Sequence, residues 1–487
     1  MVEFHGRMAK REVLEAVRKV ACSLTLTVPL ARTNFRVEKE IQRMKTTTHF
    51  LLAVLAIVGV FSLAPSQSAF AQSNPRYINL GSNAVGALYT PDSGSYSHVG
   101  IIVGHPTSNS LGCGTTWAAR GFMALCLNPR YGVSHEDAIR WETIILDVRA
   151  AVNALKGQPG ITKVVLVGAS GGGPLMSFYQ DVAENGQSVC QGLGKLVECG
   201  NNLAGLPPAD GLILNDSIPG YGVNSIRSIN GAVTNDHAIL NNNRAPNINP
   251  NLDPFNPKNG YNPNGSSNYS PNFQKRYFEA QADRMNVLID EALAKLREIE
   301  ASGNPTDDAS FIVPRGDNAR LSELDLSIQH GTVKPRKLLK NDGTIQDCCK
   351  VESVRIPQPE DAANNASYSN GTLFLTVRSF LSLRSIRAWN SMDGLDIDSV
   401  NNVTVDHLRR ITVPLLIFTS GGHYFISDNE IHYENAASAD KDFVVTEGAA
   451  HTGPPCVPCE KVPGQYSNSA INQMNYMVNW LNQPGRF

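Results

Sequence analysis

A short apolar run that turns through several glycines constrains the fold more than any other part of the chain. The run at residues 164–167 is rich in β-branched side chains and predicts a buried strand, and the pentapeptide Gly-Ala-Ser-Gly-Gly follows it at residues 168–172. Small residues two positions before and two positions after Ser170 allow a strand and a helix to meet in a tight turn that exposes the serine hydroxyl. Pro174 suits the first turn of that helix, where its missing N–H costs nothing. The segment therefore predicts a strand, a sharp turn carrying Ser170, and a helix.

This turn resembles the nucleophile elbow of the α/β-hydrolase superfamily, in which a serine attacks a substrate carbonyl. The resemblance covers residues 75–216 and 409–487. It implies an α/β fold with a mostly parallel, twisted sheet flanked by helices, and it makes Ser170 the nucleophile. It also implies that the amide of Gly171 donates a hydrogen bond to the oxyanion that develops during the reaction.

Apolar patterns on both sides of the turn predict alternating strands and helices, which favours a parallel sheet. The predicted strands cover residues 85–89, 98–104, 122–127, 163–167, 211–214, 413–418 and 443–446. The predicted helices cover residues 136–155, 175–184, 273–300, 373–389 and 472–481. Residues 241–272 and 334–367 are polar, and we expect them to be irregular.

The regular alternation of strands and helices stops between residues 217 and 408. In α/β-hydrolases the connection after the sixth strand commonly carries a cap or lid, so the resemblance implies that residues 217–408 form such an insertion. The catalytic core is then made of residues 72–216 and 409–487. A linker between two independent domains is the alternative, but strand patterns that resume after the insertion argue against it.

The amino-terminal part of the chain has the pattern of an export signal. A lysine precedes an apolar run at residues 50–63, and the small-x-small pattern Ala-Phe-Ala ends at Ala71. We predict a signal peptide at residues 44–71 with cleavage near Ala71, preceded by an upstream extension at residues 1–43. A run of about fourteen residues is short for a membrane span. A periplasmic or secreted protein without a stable membrane anchor is therefore expected, and an uncleaved anchor is the alternative.

Nine cysteines are present, of which Cys22 lies in the predicted leader. The even number that remains favours disulfides in an exported chain, and Cys190 with Cys199 is the first expected pair. Two more bridges are expected among Cys348, Cys349, Cys456 and Cys459. The Cys-x-x-Cys spacing of the last two also fits half of a zinc site. Cys126 lies in an apolar strand and is expected to be a buried free thiol.

A serine hydroxyl is a poor nucleophile until a base takes its proton. The resemblance implies a histidine on the loop after the last strand, and His451 follows the strand predicted at residues 443–446 after several small residues. Small residues at this point let the imidazole reach Ser170. We predict that His451 is the base, which accepts the serine proton and returns it to the leaving group.

The acid that should orient this histidine is not where the family usually has it. In most α/β-hydrolases it lies a few residues beyond the strand predicted at 413–418, but His423 occupies that place here. Two substitutes are available. Asp216 directly follows the strand predicted at 211–214, and Asp428 lies further along the loop, where it also fits a helix cap.

The oxyanion hole needs a second donor besides the amide of Gly171. The resemblance implies that it comes from the loop after the strand at 98–104, which begins with His105, Pro106 and Thr107. Because Pro106 has no N–H, the amide of Thr107 is the expected donor. His105 is expected to brace the loop rather than to act as a base.

Together these residues predict acyl transfer through an acyl-enzyme, with no metal and no organic cofactor. The leading hypothesis is hydrolysis of a carboxylic ester in a small molecule or a polymer; an amidase, peptidase or thioesterase would use the same residues. A non-catalytic binding protein with the same fold is the alternative from another class. The formal net charge of −2 at pH 7 argues against a nucleic-acid partner. The substrate and the oligomeric state stay open.

Overall fold

The computed structural model describes residues 74–92, 96–237, 247–304 and 306–487. The predicted extension at residues 1–43 and the predicted signal peptide at residues 44–71 lie outside them. No helix in the described part of the chain has both the length and the apolar character needed to cross a bilayer.

The strands are, in chain order, β1 (Arg76–Gly81), β2 (Ala84–Tyr89), β3 (Val99–Gly104), β4 (Ala124–Asn128), β5 (Lys163–Ala169), β6 (Gly211–Asn215), β7 (Ser310–Val313), β8 (Arg336–Leu339), β9 (Ile345–Cys349), β10 (Leu373–Thr376), β11 (Ala388–Asn390), β12 (Gly394–Leu395), β13 (Leu415–Ser420) and β14 (Lys441–Thr446). Ten of the described strands form one sheet in the order β1-β2-β4-β3-β5-β6-β13-β14-β8-β9. The pairs from β4 to β8 in this order are parallel, whereas β1, β2 and β9 pair antiparallel.

The α-helices are α1 (Gly114–Ala118), α2 (Trp141–Lys156), α3 (Gly172–Asn185), α4 (Tyr221–Ser228), α5 (Pro271–Ala301), α6 (Leu321–Leu324), α7 (Asp361–Ala366), α8 (Val377–Ser379), α9 (Thr404–Leu408), α10 (Ile426–Asn435) and α11 (Ser469–Leu481). Short 3-10 turns cover Gln187–Cys190, Asn201–Leu203, Pro257–Asn259, Ile397–Ser399 and Val457–Cys459, and a π turn covers Phe380–Arg384. The prediction of a mostly parallel sheet flanked by helices is confirmed.

Both faces of the central sheet are buried, which explains why its strands are continuous apolar runs. Along β5, Val164 and Leu166 belong to the hydrophobic cluster that includes side chains of α2 and α3. Their neighbours Val165 and Val167 belong to a second cluster, with side chains of α1 and α11. Since successive side chains of a strand point to opposite faces, a strand covered on both sides needs apolar residues at every position.

The segment between β6 and β13 is more closely tied to the sheet than the prediction of a separate cap implies. Its helix α5 packs with the pair formed by β7 and β10 into a hydrophobic cluster of its own. However, β8 from the same segment pairs in parallel with β14, and β9 pairs with β8 at the sheet edge. Two strands of the central sheet therefore come from the segment predicted as the cap.

Two local predictions within this segment are wrong. Residues 373–389 were expected to be one helix, but they form β10, α8, the π turn and the start of β11. The partner of β10 is β7, about sixty residues earlier in the chain, and local periodicity carries no information about such pairing. Residues 334–367 were expected to be irregular, but they contain β8 and β9, whose charged residues suit a sheet edge.

Three disulfides are formed among the described residues. The expected pair Cys190–Cys199 is confirmed, and Cys456 pairs with Cys459, so neither thiolate of this pair is available to zinc. Cys126 is bonded to Cys113 and is not a free thiol. The prediction failed because Cys113 lies just before α1, and only the fold brings this helix beside β4. The side chain of Cys348 lies outside the described residues.

Candidate active site

Ser170 lies on the turn between β5 and α3, in a strained backbone conformation. Its φ is +52°, a left-handed value that costs a non-glycine residue roughly 1–3 kcal/mol. The turn is tight because backbones touch at glycines: a Cβ on Gly168 in β5 would overlap the carbonyl oxygen of Gly172 in α3, and a Cβ on Gly172 would overlap that of Gly104 at the end of β3. The sequence prediction for this turn agrees with the structure, and the serine side chain is lifted above the end of the sheet.

Ser170, His451 and Asp216 form a continuous chain of hydrogen bonds. The Ser170 Oγ lies 2.8 Å from His451 Nε2, and His451 Nδ1 lies 2.6 Å from the Asp216 Oδ2. Because Nδ1 faces a carboxylate, it carries the proton, and Nε2 is left as an acceptor for the serine hydroxyl. The structure thus brings together a hydroxyl, an imidazole and a carboxylate in the order that nucleophilic catalysis requires.

Asp216 lies directly after β6 and is held as a carboxylate. The Thr419 Oγ1 and the Ser420 amide both donate to its Oδ1, each at 3.1 Å. Burial by itself would raise the pKa of Asp216, but the neighbouring imidazoles of His423 and His451 hold that pKa well below its usual value. A negative charge is therefore maintained behind His451, in the place where it would stabilise a protonated imidazole.

Two side-chain amides, of Asn215 and Gln473, connect the loop of His451 to the end of the sheet. Thr452 has a φ of +67°, and its carbonyl accepts a hydrogen bond from Asn215 Nδ2 at 3.0 Å. The Gln473 Nε2 in turn donates to Asn215 Oδ1 at 2.8 Å. Because Asn215 is the last residue of β6 and Asp216 follows it, the acid and the histidine loop are positioned by the same strand end.

Asp428 is not brought to His451, so the alternative that made it the acid is corrected. Its Oδ1 accepts from Arg227 Nη1 at 2.7 Å and its Oδ2 accepts from Gln329 Nε2 at 3.2 Å. Asp428 lies in the first turn of α10, and that turn directs its carboxylate to the buried guanidinium of Arg227 instead of the sheet end. Of the two aspartates considered, Asp216 is the one in contact with His451.

The amide of Thr107 is already engaged, so the prediction that it is the second oxyanion donor is corrected. It donates to His105 Nδ1 at 3.1 Å, and the Ser108 amide donates to the same nitrogen at 3.0 Å. The histidine thus folds its own loop into a tight turn, as expected for a bracing residue. The same hydrogen bonds turn the Thr107 amide towards His105.

Tyr221, a residue that the sequence analysis missed, lies beside the amide expected to bind the oxyanion. A Cβ on Gly171 would collide with the Tyr221 hydroxyl oxygen and would lie 2.9 Å from His105 Nε2. Tyr221 is the first residue of α4 and is buried. The sequence around Tyr221 carries no local signal that could have identified this residue. Its place in the site depends on how α4 packs against the loop after β3.

His423, at the place where the family usually has its acid, is also part of the cluster. Its Nδ1 lies 3.0 Å from Asp216 Oδ2, but the ring N–H is not aligned for a hydrogen bond to that oxygen. Its ring lies against the ring of His451, with the two planes inclined by 26°. Burial lowers the pKa of His423, more than the charge of Asp216 raises it.

Asp216, His423 and His451 are the one group of described side chains whose ligand atoms are close enough to share a metal ion. A shared ion would have to lie near the plane of both imidazole rings, on their nitrogen lone pairs. The Nδ1 atoms of both rings instead face Asp216 Oδ2, at 3.0 Å for His423 and 2.6 Å for His451, and the His451 Nδ1 donates its proton to this carboxylate. The arrangement fits a hydrogen-bonded cluster better than a metal centre.

No protein-family model and no curated protein matches the sequence. Among solved structures, a hypothetical protein from Pseudomonas aeruginosa is similar at 13% identity, covering 85% of this chain and 94% of that chain with a TM-score of 0.39. A monoglyceride lipase from Saccharomyces cerevisiae is similar at 12% identity, covering 86% and 98% with a TM-score of 0.36. A hormone-sensitive lipase from a metagenome library is similar at 12% identity, covering 90% and 98% with a TM-score of 0.36.

The fold follows from the order of the strands in the central sheet. The central sheet has a parallel run from β4 to β8, with β5 in its interior. The turn that carries Ser170 follows β5, and the loop that carries His451 follows β14. This strand order, with a serine turn after the fifth strand, gives the chain the α/β-hydrolase fold.

Proposed function

We propose that the protein is an exported serine hydrolase that cleaves a carboxylic ester through an acyl-enzyme intermediate. The observation that carries the proposal is the 2.8 Å contact between Ser170 Oγ and His451 Nε2, backed by the 2.6 Å contact from His451 to Asp216. A serine held in a strained turn and hydrogen-bonded to an imidazole with a buried carboxylate behind it has no evident structural purpose. The lipases among similar structures are in keeping with this chemistry.

The reaction begins when Ser170 Oγ attacks the ester carbonyl carbon and its proton moves to His451 Nε2. The carbonyl π electrons move onto the oxygen, and the amide of Gly171 donates to this oxyanion. When the intermediate collapses, the C–O bond to the alcohol breaks and His451 gives its proton to the departing oxygen. Water then loses a proton to His451 as it attacks the acyl-enzyme. The bond from the acyl carbon to Ser170 Oγ breaks, His451 returns the proton to this oxygen, and the carboxylic acid is released.

Two features of the chain support export and a shaped substrate site. The disulfides Cys113–Cys126, Cys190–Cys199 and Cys456–Cys459 suit an oxidising compartment, as the predicted signal peptide requires. The segment at residues 217–408 carries Tyr221 to the serine turn, which supports a role for this segment in shaping the pocket. No partner other than the ester substrate is proposed.

The proposal is tested with the purified protein on p-nitrophenyl esters of increasing chain length and on the matching anilides. We expect ester hydrolysis, and a loss of roughly a thousandfold or more in Ser170→Ala. Ser188→Ala, at an exposed serine in the turn after α3, is the matched control and should retain full activity. Hydrolysis of the anilides alone would instead identify an amidase on the same residues.

Labelling with a fluorophosphonate separates an enzyme from a binding protein of the same fold. The reagent should modify Ser170 in the folded protein and leave Ser170→Ala unlabelled. A folded protein that neither reacts with the probe nor hydrolyses any ester, anilide or thioester of the panel would favour the non-catalytic alternative.

A further inference from the structure

The oxyanion site next to Ser170 has lost the backbone donor that its loop would be expected to provide. The amide of Gly171 offers one hydrogen bond, but a single donor stabilises a developing oxyanion less than the usual two or three. The loop after β3 contributes Pro106, which has no N–H, and Thr107, whose amide donates to His105 Nδ1. Another group must fill this side of the site if the proposed function is correct.

His105 has the tautomer and the location to donate at this point. Two backbone amides, of Thr107 and Ser108, donate to its Nδ1, so that nitrogen is an acceptor and the proton lies on Nε2. Burial, together with the charge of His451, lowers the pKa of His105 to about 4. The ring is therefore a neutral Nε2–H donor at neutral pH, and neutral imidazoles can polarise a carbonyl in this way. Its Nε2 lies 2.9 Å from the point where a Cβ on Gly171 would be.

Tyr221 brings a hydroxyl to the same point, since a Cβ on Gly171 would collide with its oxygen. Its ring is fixed between Trp141, with centroids 5.5 Å apart, and the Arg384 guanidinium, 5.4 Å from the ring centroid. Among the described residues its hydroxyl has one hydrogen-bond partner, Thr107 Oγ1, at the long distance of 3.4 Å. Burial raises the pKa of Tyr221, so the phenol keeps its proton. A rigid, buried O–H with such a weak partner is available to an incoming acceptor.

We propose that the Nε2–H of His105 and the hydroxyl of Tyr221 complete the oxyanion hole, so that two side-chain donors take the place of the second backbone amide. This assignment rests on the proposed function and specifies the groups that touch the reacting carbonyl. The oxyanion accepts hydrogen bonds from Gly171, His105 and Tyr221 while it carries the negative charge, and no proton moves to it. When the carbonyl re-forms, these hydrogen bonds weaken again.

Tyr221→Phe is the first test, because it removes one oxygen atom and leaves the packed ring in place. We expect kcat/KM for the best p-nitrophenyl ester to fall by about 10²–10³, mostly through kcat, with the thermal midpoint unchanged. Tyr179→Phe is the matched control, since it removes a buried hydroxyl that donates to the carbonyl of Pro207 in the core. Activity of Tyr221→Phe within about threefold of wild type would overturn the assignment of Tyr221, because an oxyanion donor contributes far more than that.

His105 needs two variants, because one of its nitrogens braces the loop while the other faces the site. In His105→Asn the side-chain oxygen can still accept hydrogen bonds from the Thr107 and Ser108 amides, but the donor at the position of the imidazole Nε2 is lost. His105→Gln reaches towards the Nε2 position and loses the bracing acceptor. We expect the Asn variant to lose roughly tenfold to a thousandfold in kcat and the Gln variant to recover part of it. An Asn variant as active as wild type would overturn the assignment of His105.

A transition-state analogue distinguishes oxyanion donors from residues that only maintain the structure. A trifluoromethyl ketone forms a tetrahedral adduct with the serine, so its affinity should fall in Tyr221→Phe and His105→Asn in parallel with kcat/KM. Affinity for the carboxylic acid product should stay within about threefold. An unchanged ketone affinity in both variants would overturn the proposal. Failure of the proposed function would appear differently, as a wild-type protein that neither hydrolyses esters nor reacts with the fluorophosphonate.

Discussion

The imidazole of His423 is stacked on the imidazole of His451, with ring centroids 4.4 Å apart. His423 follows β13, where the α/β-hydrolase family usually has its acid, and Asp216 after β6 is in contact with both rings. If the proposed function is correct, two tasks that one residue usually performs are divided between Asp216 and His423. In the proposed mechanism Asp216 supplies the charge, and we expect the flat ring of His423 to fix the plane of the His451 imidazole.

This relationship makes His423 a positioning residue whose shape matters more than its charge. We expect His423→Ala to lower kcat by about tenfold to a hundredfold with little change in KM, because a freed His451 ring spends less time aligned with Ser170. His423→Phe should recover most of the activity, since it restores the stacked ring without a titratable group. Steady-state kinetics on one ester checks this. A Phe variant as impaired as the Ala variant would contradict the stacking role.

Asp216→Asn should nearly abolish activity while the protein stays folded. The amide is close in shape to the carboxylate, but it cannot hold His451 in the required tautomer or stabilise its charged form. We expect kcat to fall by about 10⁴, measured with the best ester of the panel. A kcat within about tenfold of wild type would show that another group performs this role.

Asp428→Asn should show the opposite pattern, with activity retained and stability lost. The Arg227 guanidinium and the Asp428 carboxylate are both buried, with 9% and 2% of their side chains exposed. Removing one charge of such a pair leaves the other uncompensated, which costs about 3–5 kcal/mol of unfolding free energy. Urea denaturation measures this loss, and kcat of the folded variant should match wild type. A variant with normal stability and little activity would contradict the assignment of Asp428 as a structural residue.

Glu142 should make the stability of the protein depend on pH. Burial raises the pKa of Glu142 from 4.5 to about 7, although hydrogen bonds from Ser382 and Asn401 oppose the shift. Between these two values the folded state binds more protons at Glu142 than the unfolded state does. The contribution of Glu142 to stability is therefore fully present below pH 4.5 and is lost as the pH rises through about 7.

The test compares thermal midpoints of wild type and Glu142→Gln at about pH 5 and about pH 8. Glutamine does not ionise, so the variant avoids the loss of stability that wild type suffers at the higher pH. The thermal midpoint of the variant minus that of wild type should therefore be larger at about pH 8 than at about pH 5. Glu298→Gln, at an exposed position on α5, controls for loss of a surface charge. A difference between Glu142→Gln and wild type that stays constant with pH would contradict the raised pKa.

The disulfide between Cys113 and Cys126 should contribute measurably to stability. It joins the start of α1 to β4 and closes a loop with a sequence separation of 13, for which chain entropy gives about 3 kcal/mol. We expect the double variant Cys113→Ala/Cys126→Ala to lose about this much unfolding free energy in urea. A double variant as stable as wild type under non-reducing conditions would contradict the expectation.

What the sequence could predict depended on whether the deciding contacts are local. The turn at Ser170 is encoded by its own glycines, and His451 by the small residues before it. Asp216 and Asp428 could not be separated, because both follow an apolar strand and only the packing of α10 directs Asp428 to Arg227. The roles considered for His105 and Tyr221 arise where the loop after β3 meets α4, a contact between distant parts of the chain.

The same limit applies to the sheet. The strands β3, β5 and β13 are buried on both faces and are evident as apolar runs. The strands β8 and β9 contain charged residues such as Arg336 and Lys337, and their hydrogen-bonding partners, not their composition, make them strands. The edge strand is β9, and its neighbour β8 is mostly half-buried, so neither has the continuous apolar run of a strand covered on both faces.

The parallel pairing of β8 with β14 has a practical consequence for engineering this protein. β14 is the strand that leads into the His451 loop. Deleting residues 217–408, or exchanging them for another insertion, would remove β8, which pairs with β14 on its outer side. An unpaired strand edge would then lie beside the His451 loop, and such an edge promotes association between molecules. Chimeras that exchange parts of this segment should therefore keep the hairpin at residues 336–349, and also α4, which carries Tyr221.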